Sequence, residues 1–144
     1  MALNILKKLF LIGCLVYLPS QAMAWGMLGH RVVGEIAERN LNCKAKRNIK
    51  KILGNESLAI ASNWADFIKS DPAYDYLGPW HYINFKQGLT LDEFTASMMQ
   101  DTATNVYTKL NMMATELKNN KSLPQAKKQM YLRLIIHMVG DIHQ

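Results

Sequence analysis

Residues 122–144 read SLPQAKKQMYLRLIIHMVGDIHQ, and this stretch decides the fold. Ala126, Met130, Leu134, Ile135, Met138, Val139 and Ile142 recur at three- and four-residue spacing, the period of an amphipathic helix with these side chains inward. Ser122, with Pro124 just behind it, supplies the start. His137 and Asp141 are four residues apart, so they project from one face about a turn from each other. They continue an almost wholly apolar stripe, where an unpaired buried charge costs on the order of several kcal/mol. A histidine and a carboxylate so placed can bind one metal ion, or two ions that share the carboxylate. The same pair also arises by chance as a surface hydrogen bond. His143 is six positions from His137 and turns off that face, which makes it a residue that supports a ligand from behind or a structural one.

Working outward, Leu28, Val32, Val33, Ile36 and Ala37 repeat at helical spacing with charged residues between them. Residues 45–53 form a short basic helix stopped by Gly54-Asn55. A third helix is predicted over 57–69, with Leu58, Ala61, Ala65 and Ile68 on one face and Ile60, Trp64 and Phe67 beside it, and Pro72 ends it. Residues 71–88 hold Pro72, Gly78, Pro79 and Gly88 among aromatics and read as extended loop, in which only 80–85 could pass for a strand. Thr90-Leu91-Asp92-Glu93 is a capping-box pattern that opens a long helix to about Leu117. The expected fold is all-α, a compact helical bundle with one ordered loop. No linker, repeat or low-complexity stretch marks a second domain.

The first 24 residues have Lys7 and Lys8, an apolar run from Leu9 to Leu18, and a small-x-small ending at Ala22-Met23-Ala24. That is the layout of a secretory signal peptide. The run is short of the roughly 20 residues that a membrane-spanning helix needs. Leu11-Ile12-Gly13-Cys14 also resembles a lipoprotein processing box, an alternative that ranks second. Cleavage after Ala24 leaves 25–144 as one domain, with no stable membrane anchor, secreted or periplasmic and monomeric. It also removes Cys14, so Cys43 has no intrachain partner and the domain must rely on its core or on bound metal. The whole chain has 17 Lys and Arg against 11 Asp and Glu. This mild bias suits a polyanionic partner, and lysines chosen for solubility give the same number.

Trp25-Gly26-Met27-Leu28-Gly29-His30 becomes the mature N-terminus if cleavage follows Ala24. The free amine and carbonyl of Trp25 can then chelate a metal, with His30 completing the grip and Gly26 and Gly29 letting the backbone come close. The amine's ordinary pKa near ~8 makes its deprotonation easy beside a dication. Without processing, Trp25 is a hydrophobic plug and His30 a helix-start residue. Asp66, near a helix C-terminus, favours a nearby cation, though an Asp there is usually just solvated. His81, set among aromatics, is by itself more often a core residue than a ligand.

In order along the chain stand a WGxxGH, a WAD, an aromatic-flanked WHY and a helical HMVGD. Together these resemble the single-strand-specific zinc nucleases typified by the fungal S-one and P-one enzymes, a family distantly akin in fold to bacterial zinc phospholipase C. The resemblance runs from Trp25 to the last residue and implies a helical domain of that type, incomplete at its C-terminus. It implies that Trp25 and His30 hold one zinc, that Asp66, His81 and His137 hold its neighbour, and that Asp141 bridges the two. A hydroxide shared by the pair would be the nucleophile. The ligands of the family's third zinc would lie beyond Gln144, so the residues present support two of three zincs. Lys69 falls where the family often has an Arg that stabilises charge on the phosphate, a Lys lacking the bidentate fork. Tyr82 falls where an aromatic stacks on a nucleobase, and Asn84 where relatives can have a base-binding Asp.

What the resemblance implies is a zinc-dependent endonuclease and 3′-nucleotidase, cutting single-stranded DNA or RNA to 5′-phosphorylated products. Unpaired strands are the expected substrate because a base must leave its stack to meet Tyr82. Two alternatives stay open, a phospholipase C-like lipid hydrolase with the same metal site and a non-catalytic, truncated zinc-binding remnant.

Overall fold

The computed structural model describes residues 26–143; the expectations for the signal peptide, Cys14 and Trp25 lie outside them. The described chain is all-α, with no strand among the described residues. Its helices are α1 (Met27–Asn40), α2 (Cys43–Leu53), α3 (Leu58–Ala61), α4 (Trp64–Ile68), a 3-10 helix (Pro72–Trp80), α5 (Leu91–Gln100), α6 (Val106–Asn119) and α7 (Gln125–Ile142).

Local chemistry sets the boundaries. Asn42 caps α2 by accepting from the Ala45 N–H. Gly54 ends that helix at φ 67°, in the left-handed region that favours glycine. Thr90 and Glu93 form the expected capping box at α5.

Three expectations need correction. The helix expected over 57–69 is two, because at Ser62 the backbone carbonyl turns to His137 Nδ1, 2.7 Å away, rather than serving the next helical turn. The helix expected from Thr90 to Leu117 is broken at 101–105. There Asp101 accepts from the Ala103 N–H and the Asn105 amide, and Asn105 and Thr108 make a second capping box. Short polar side chains have satisfied the backbone in a non-helical arrangement. Residues 72–80, expected as loop, are the 3-10 helix, started by Asp71 accepting from the Ala73 N–H. Residues 80–85 form no strand.

The long helix α7 is the spine, in contact with α1, α2, α3, α4 and α6. Its inward residues are Tyr131, Leu134, His137, Met138 and Gly140, whereas Ala126, Val139 and Ile142, expected inside, are exposed. The main core gathers Leu134, Met138, Met113, Val106, Trp80 and Ala65, and a smaller cluster joins Leu53, Leu58 and Ala61. Burying each large side chain stabilises by roughly 1.5–3 kcal/mol. Cys43 is free and exposed. Among the described residues no helix is long and apolar enough to cross a membrane.

Candidate metal centre

Four elements converge where α7 nears its C-terminus. The first turn of α1 supplies His30, α4 supplies Asp66, the residue closing the 3-10 helix is His81, and α7 supplies His137 and Asp141. Asp141 is the hub. Its Oδ2 lies 3.0 Å from His81 Nδ1 and 3.3 Å from His137 Nε2, and its Oδ1 lies 3.4 Å from His30 Nε2. The rings of His30 and His137 stack at 4.0 Å. Potential ligand atoms of His30, Asp66 and His137 all lie within 4.8 Å of one another, as do those of His81, His137 and Asp141. The first trio cuts across the division between two ions that the family resemblance implied, because the stacked rings bring His30 against His137.

The protonation pattern follows from the hydrogen bonds. The Ser62 carbonyl can only accept, so His137 Nδ1 donates to it and the lone pair of a neutral ring sits on Nε2. Burial pushes the His137 imidazole below its ordinary pKa, against the opposing pull of Asp141. Burial alone would raise the Asp141 carboxyl. The hydrogen bond from His81, with the charge that His137, His81 and His30 carry in acid once they are protonated, outweighs it and holds that carboxyl below the usual range. The 3.3 Å contact of His137 with Asp141 would be an ion pair only with a charged ring, and the buried ring favours the neutral form. It is therefore acceptor against acceptor, an arrangement that a cation between them relieves. His30 Nδ1 is also buried without a hydrogen-bond partner. Three imidazoles and two carboxylates are a donor set that suits zinc.

These shifts predict how the metal-free protein responds to acid. The folded pKa of His137 is lowered, so below about 6.5 the unfolded chain takes up that proton first and stability falls. The folded pKa of Asp141 is also lowered; its contribution, present above the unfolded value, disappears at still lower pH as the folded carboxyl titrates. In chelator, the melting temperature is expected to fall from pH 7.5 to pH 5.5. A flat or rising profile measured by circular dichroism would contradict the assignment of a neutral His137.

The remaining expected site residues lie around this cluster. Lys69 Nζ is 3.1 Å from Asp66 Oδ1, with the lysine largely exposed. Pairs of that kind contribute about 0–1 kcal/mol, which leaves the ammonium free to meet another anion. Asp66, Lys69, Asp75 and His81 line a cavity of about 330 Å³. Tyr82 and Asn84 are exposed on alternate residues of an extended segment, with Ile83 and Phe85 partly covered between them. His143 caps α7 by donating from Nδ1 to the Val139 carbonyl and joins neither trio. Gly26 has φ −74° and open space where a Cβ would stand, so the described structure gives its lack of a side chain no role.

Gly140 was not among the expected site residues, yet a Cβ there would lie 2.8 Å from His30 Nδ1. Its signal is an isolated glycine inside a helix pattern, which usually has a packing reason. The Ser62 carbonyl left no signal, because backbone groups carry no residue type.

A family model described as S1/P1 nuclease matches residues 25–144. Nuclease S1 of Aspergillus oryzae is 29% identical over 130 residues, which cover 83% of this chain and 42% of that protein. Endonuclease 3 of Arabidopsis thaliana is 25% identical over 135 residues, covering 90% and 46% respectively. Endonuclease 2 of the same plant is 27% identical over 144 residues, covering 90% and 47%. The chain therefore spans a little under half the length of these relatives.

Proposed function

Since the chain belongs to the S1/P1 nuclease family, we propose that it is a zinc-dependent endonuclease and 3′-nucleotidase acting on single-stranded DNA or RNA and leaving 5′-phosphorylated products. The observation that carries this reading is the convergence of three histidines and two carboxylates from four elements, with His137 Nε2 3.3 Å from Asp141 Oδ2 at its centre. In this reading His30, Asp66, His81, His137 and Asp141 hold zinc together with the amine and carbonyl of Trp25. Cleavage after Ala24 is a condition of the Trp25 role, because any residue retained before it turns the amine into an amide. The same cleavage makes residues 1–24 a signal peptide, residues 25–144 the nuclease part of the chain, and the product secreted or periplasmic.

When bound, zinc polarises phosphoryl oxygens and lowers the pKa of a coordinated water from 15.7 to about 7. The chain's own groups do the rest. Ser62 fixes the His137 tautomer so that Nε2 faces the site. Asp141 orients His81 through its Nδ1. Lys69, beside the cavity, offers its ammonium to charge building on the phosphate. Tyr82 gives a displaced base a face to stack on, a contact worth roughly 1–3 kcal/mol and tolerant of base identity. Asn84, two residues on, can hydrogen-bond the base edge.

The test supplies zinc to the purified chain, counts the metal by elemental analysis, and assays three substrates: a single-stranded oligonucleotide, a 3′-nucleotide and a choline phospholipid. Release of 5′-phosphorylated products and of phosphate from the 3′-nucleotide is expected. Released choline phosphate without nuclease activity would move the site to lipid hydrolysis. Bound zinc with no turnover on any substrate would make it a non-catalytic zinc site.

A further inference from the structure

The cations of this chain are not scattered. Between Glu38 and Glu56 it carries six Lys or Arg and no acid, and between Glu116 and Asp141 five and no acid, so these two runs hold 11 of the 17. The runs are far apart in sequence, but α2 packs against α7. Gln125 Nε2 donates to the carbonyls of Lys51 and Ile52, at 3.3 and 2.9 Å. That contact seats the start of α7, with Lys127 and Lys128, beside the C-terminal end of α2. The last turn of α6 adds Lys118, and the connection from α6 to α7 adds Lys121.

On α2 itself Lys44, Lys46, Arg47, Lys50 and Lys51 are exposed, while Ile49, Ile52 and Leu53 turn inward onto Leu58 and Ala61. Arg39 and Arg133 are committed to Glu35 and Glu56. None of the other nine cations in the two runs has an ion-pair partner among the described residues. The result is an unneutralised cationic surface along α2 and around the place where its C-terminal end meets the start of α7, at the opposite end of α7 from His137 and Asp141.

We propose that this surface docks the phosphate backbone of a nucleic-acid strand, which the chain holds there while the metal cluster acts on another part of the same strand. The identity of the polyanion rests on the nuclease reading; the cationic surface does not. A lipid surface fits less well. An interfacial helix needs its apolar face free to enter the membrane, and the apolar face of α2 is already in the core. No large apolar side chain is exposed on α2 or on the first turns of α7. Lysines meet phosphates as point charges and release counterions, which gives affinity without sequence preference. From Lys128 to Asp141 the helix rises about 20 Å at ~1.5 Å per residue. At ~3.4 Å per nucleotide that distance is about six nucleotides. A dinucleotide cannot reach both places, and a 30-nucleotide strand can.

The test replaces Lys44, Lys46, Arg47, Lys50 and Lys51 together by Gln, a residue that keeps helix propensity. Binding of oligo-dT of about 30 nucleotides is measured in chelator across a salt series, where each phosphate contact on a single strand adds about −0.7 to the log–log slope. The variant is expected to bind about tenfold or more weakly with a clearly shallower slope, while its zinc-loaded hydrolysis of a dinucleotide stays unchanged. An unchanged affinity and slope would overturn the proposal. So would loss of binding to phosphatidylglycerol vesicles with oligonucleotide binding intact, which would assign the surface to lipid. If the five-fold variant fails to fold, Lys127→Gln with Lys128→Gln and the wild-type salt slope decide, and a wild-type slope near zero overturns it. Absence of hydrolysis by the wild type would count against the nuclease reading alone, since the binding measurement uses no metal.

Discussion

Asp141→Asn is expected to abolish paired-zinc binding and lower hydrolysis by about 10³-fold or more, the scale on which losing a group that stabilises transition-state charge acts. The substitution keeps the size of the side chain and removes its charge. Both carboxylate oxygens are engaged, Oδ1 toward His30 and Oδ2 toward His81 and His137, so no other residue in the cluster stands between all three imidazoles. A neutral amide is a poor ligand for a dication and cannot be shared between two. If the cluster holds zinc as proposed, added zinc is expected to favour the folded wild type and raise its melting temperature by mass action; in Asp141→Asn that rise is expected to disappear. Elemental analysis, melting curves with and without zinc, and initial rates on oligonucleotide check the three parts. A variant that keeps its zinc and its activity would remove Asp141 from the centre of the site.

Gly34→Ala is expected to destabilise the described chain. Helix propensity alone makes Ala better than Gly inside a helix by about 1 kcal/mol. Packing reverses the sign, because a Cβ at Gly34 would stand 2.6 Å from the Leu58 carbonyl oxygen and 2.9 Å from Ala59 Cα. Those are backbone atoms and no rotamer change relieves them. Separating the helices is resisted by Glu38, whose Oε2 accepts from the Leu58 N–H at 2.8 Å, satisfying a donor at the start of α3. Overpacking typically costs 1–3 kcal/mol, so a net loss of about 1 kcal/mol is expected after the propensity gain. That corresponds to a melting temperature lower by roughly 5 °C for a domain of this size. Zinc affinity should fall as well, since His30 lies one turn before Gly34. Gly26→Ala, into open space, is the control with little effect. Equal or higher stability of Gly34→Ala in denaturant titration would show that α1 and α3 can part at no cost.

The helical character of the chain was legible because each long helix buries one face, and burial at period 3.6 leaves a record in residue type. The start of α5 was legible because Thr90 caps it, whereas the start of α2, capped by Asn42, was placed two residues late. Breaks inside the predicted helices were not legible. Ser62 and Asp101–Asn105 look like tolerable helix residues one at a time, and only the competing partners (His137 for one, neighbouring amides for the other) turn them into breaks. The inward face of α7 was misplaced toward Val139 and Ile142 and away from Tyr131 for a related reason: hydrophobicity marks candidates for burial, and the neighbours decide which are covered.

At the candidate metal centre, the order of the motifs and the family resemblance singled out His30, Asp66, His81, His137 and Asp141. Singly, Asp66 and His81 have bland uses; together, the motifs that carry these side chains are recognisable in line. By itself the sequence determined which elements are helical, which polar groups need partners, and how the cations cluster along the chain. Only the tertiary structure decided that Asp141 is the hub, that His30 stacks on His137, that Gly34 and Gly140 are sites of closest approach, and that two cationic runs some 70 residues apart meet where α2 packs against α7. The physical reason is common to all of these. Local chemistry acts over one or two turns and is written in neighbouring residues, whereas contacts between helices depend on which surfaces fit at van der Waals distance, and that fit belongs to pairs of elements rather than to either one.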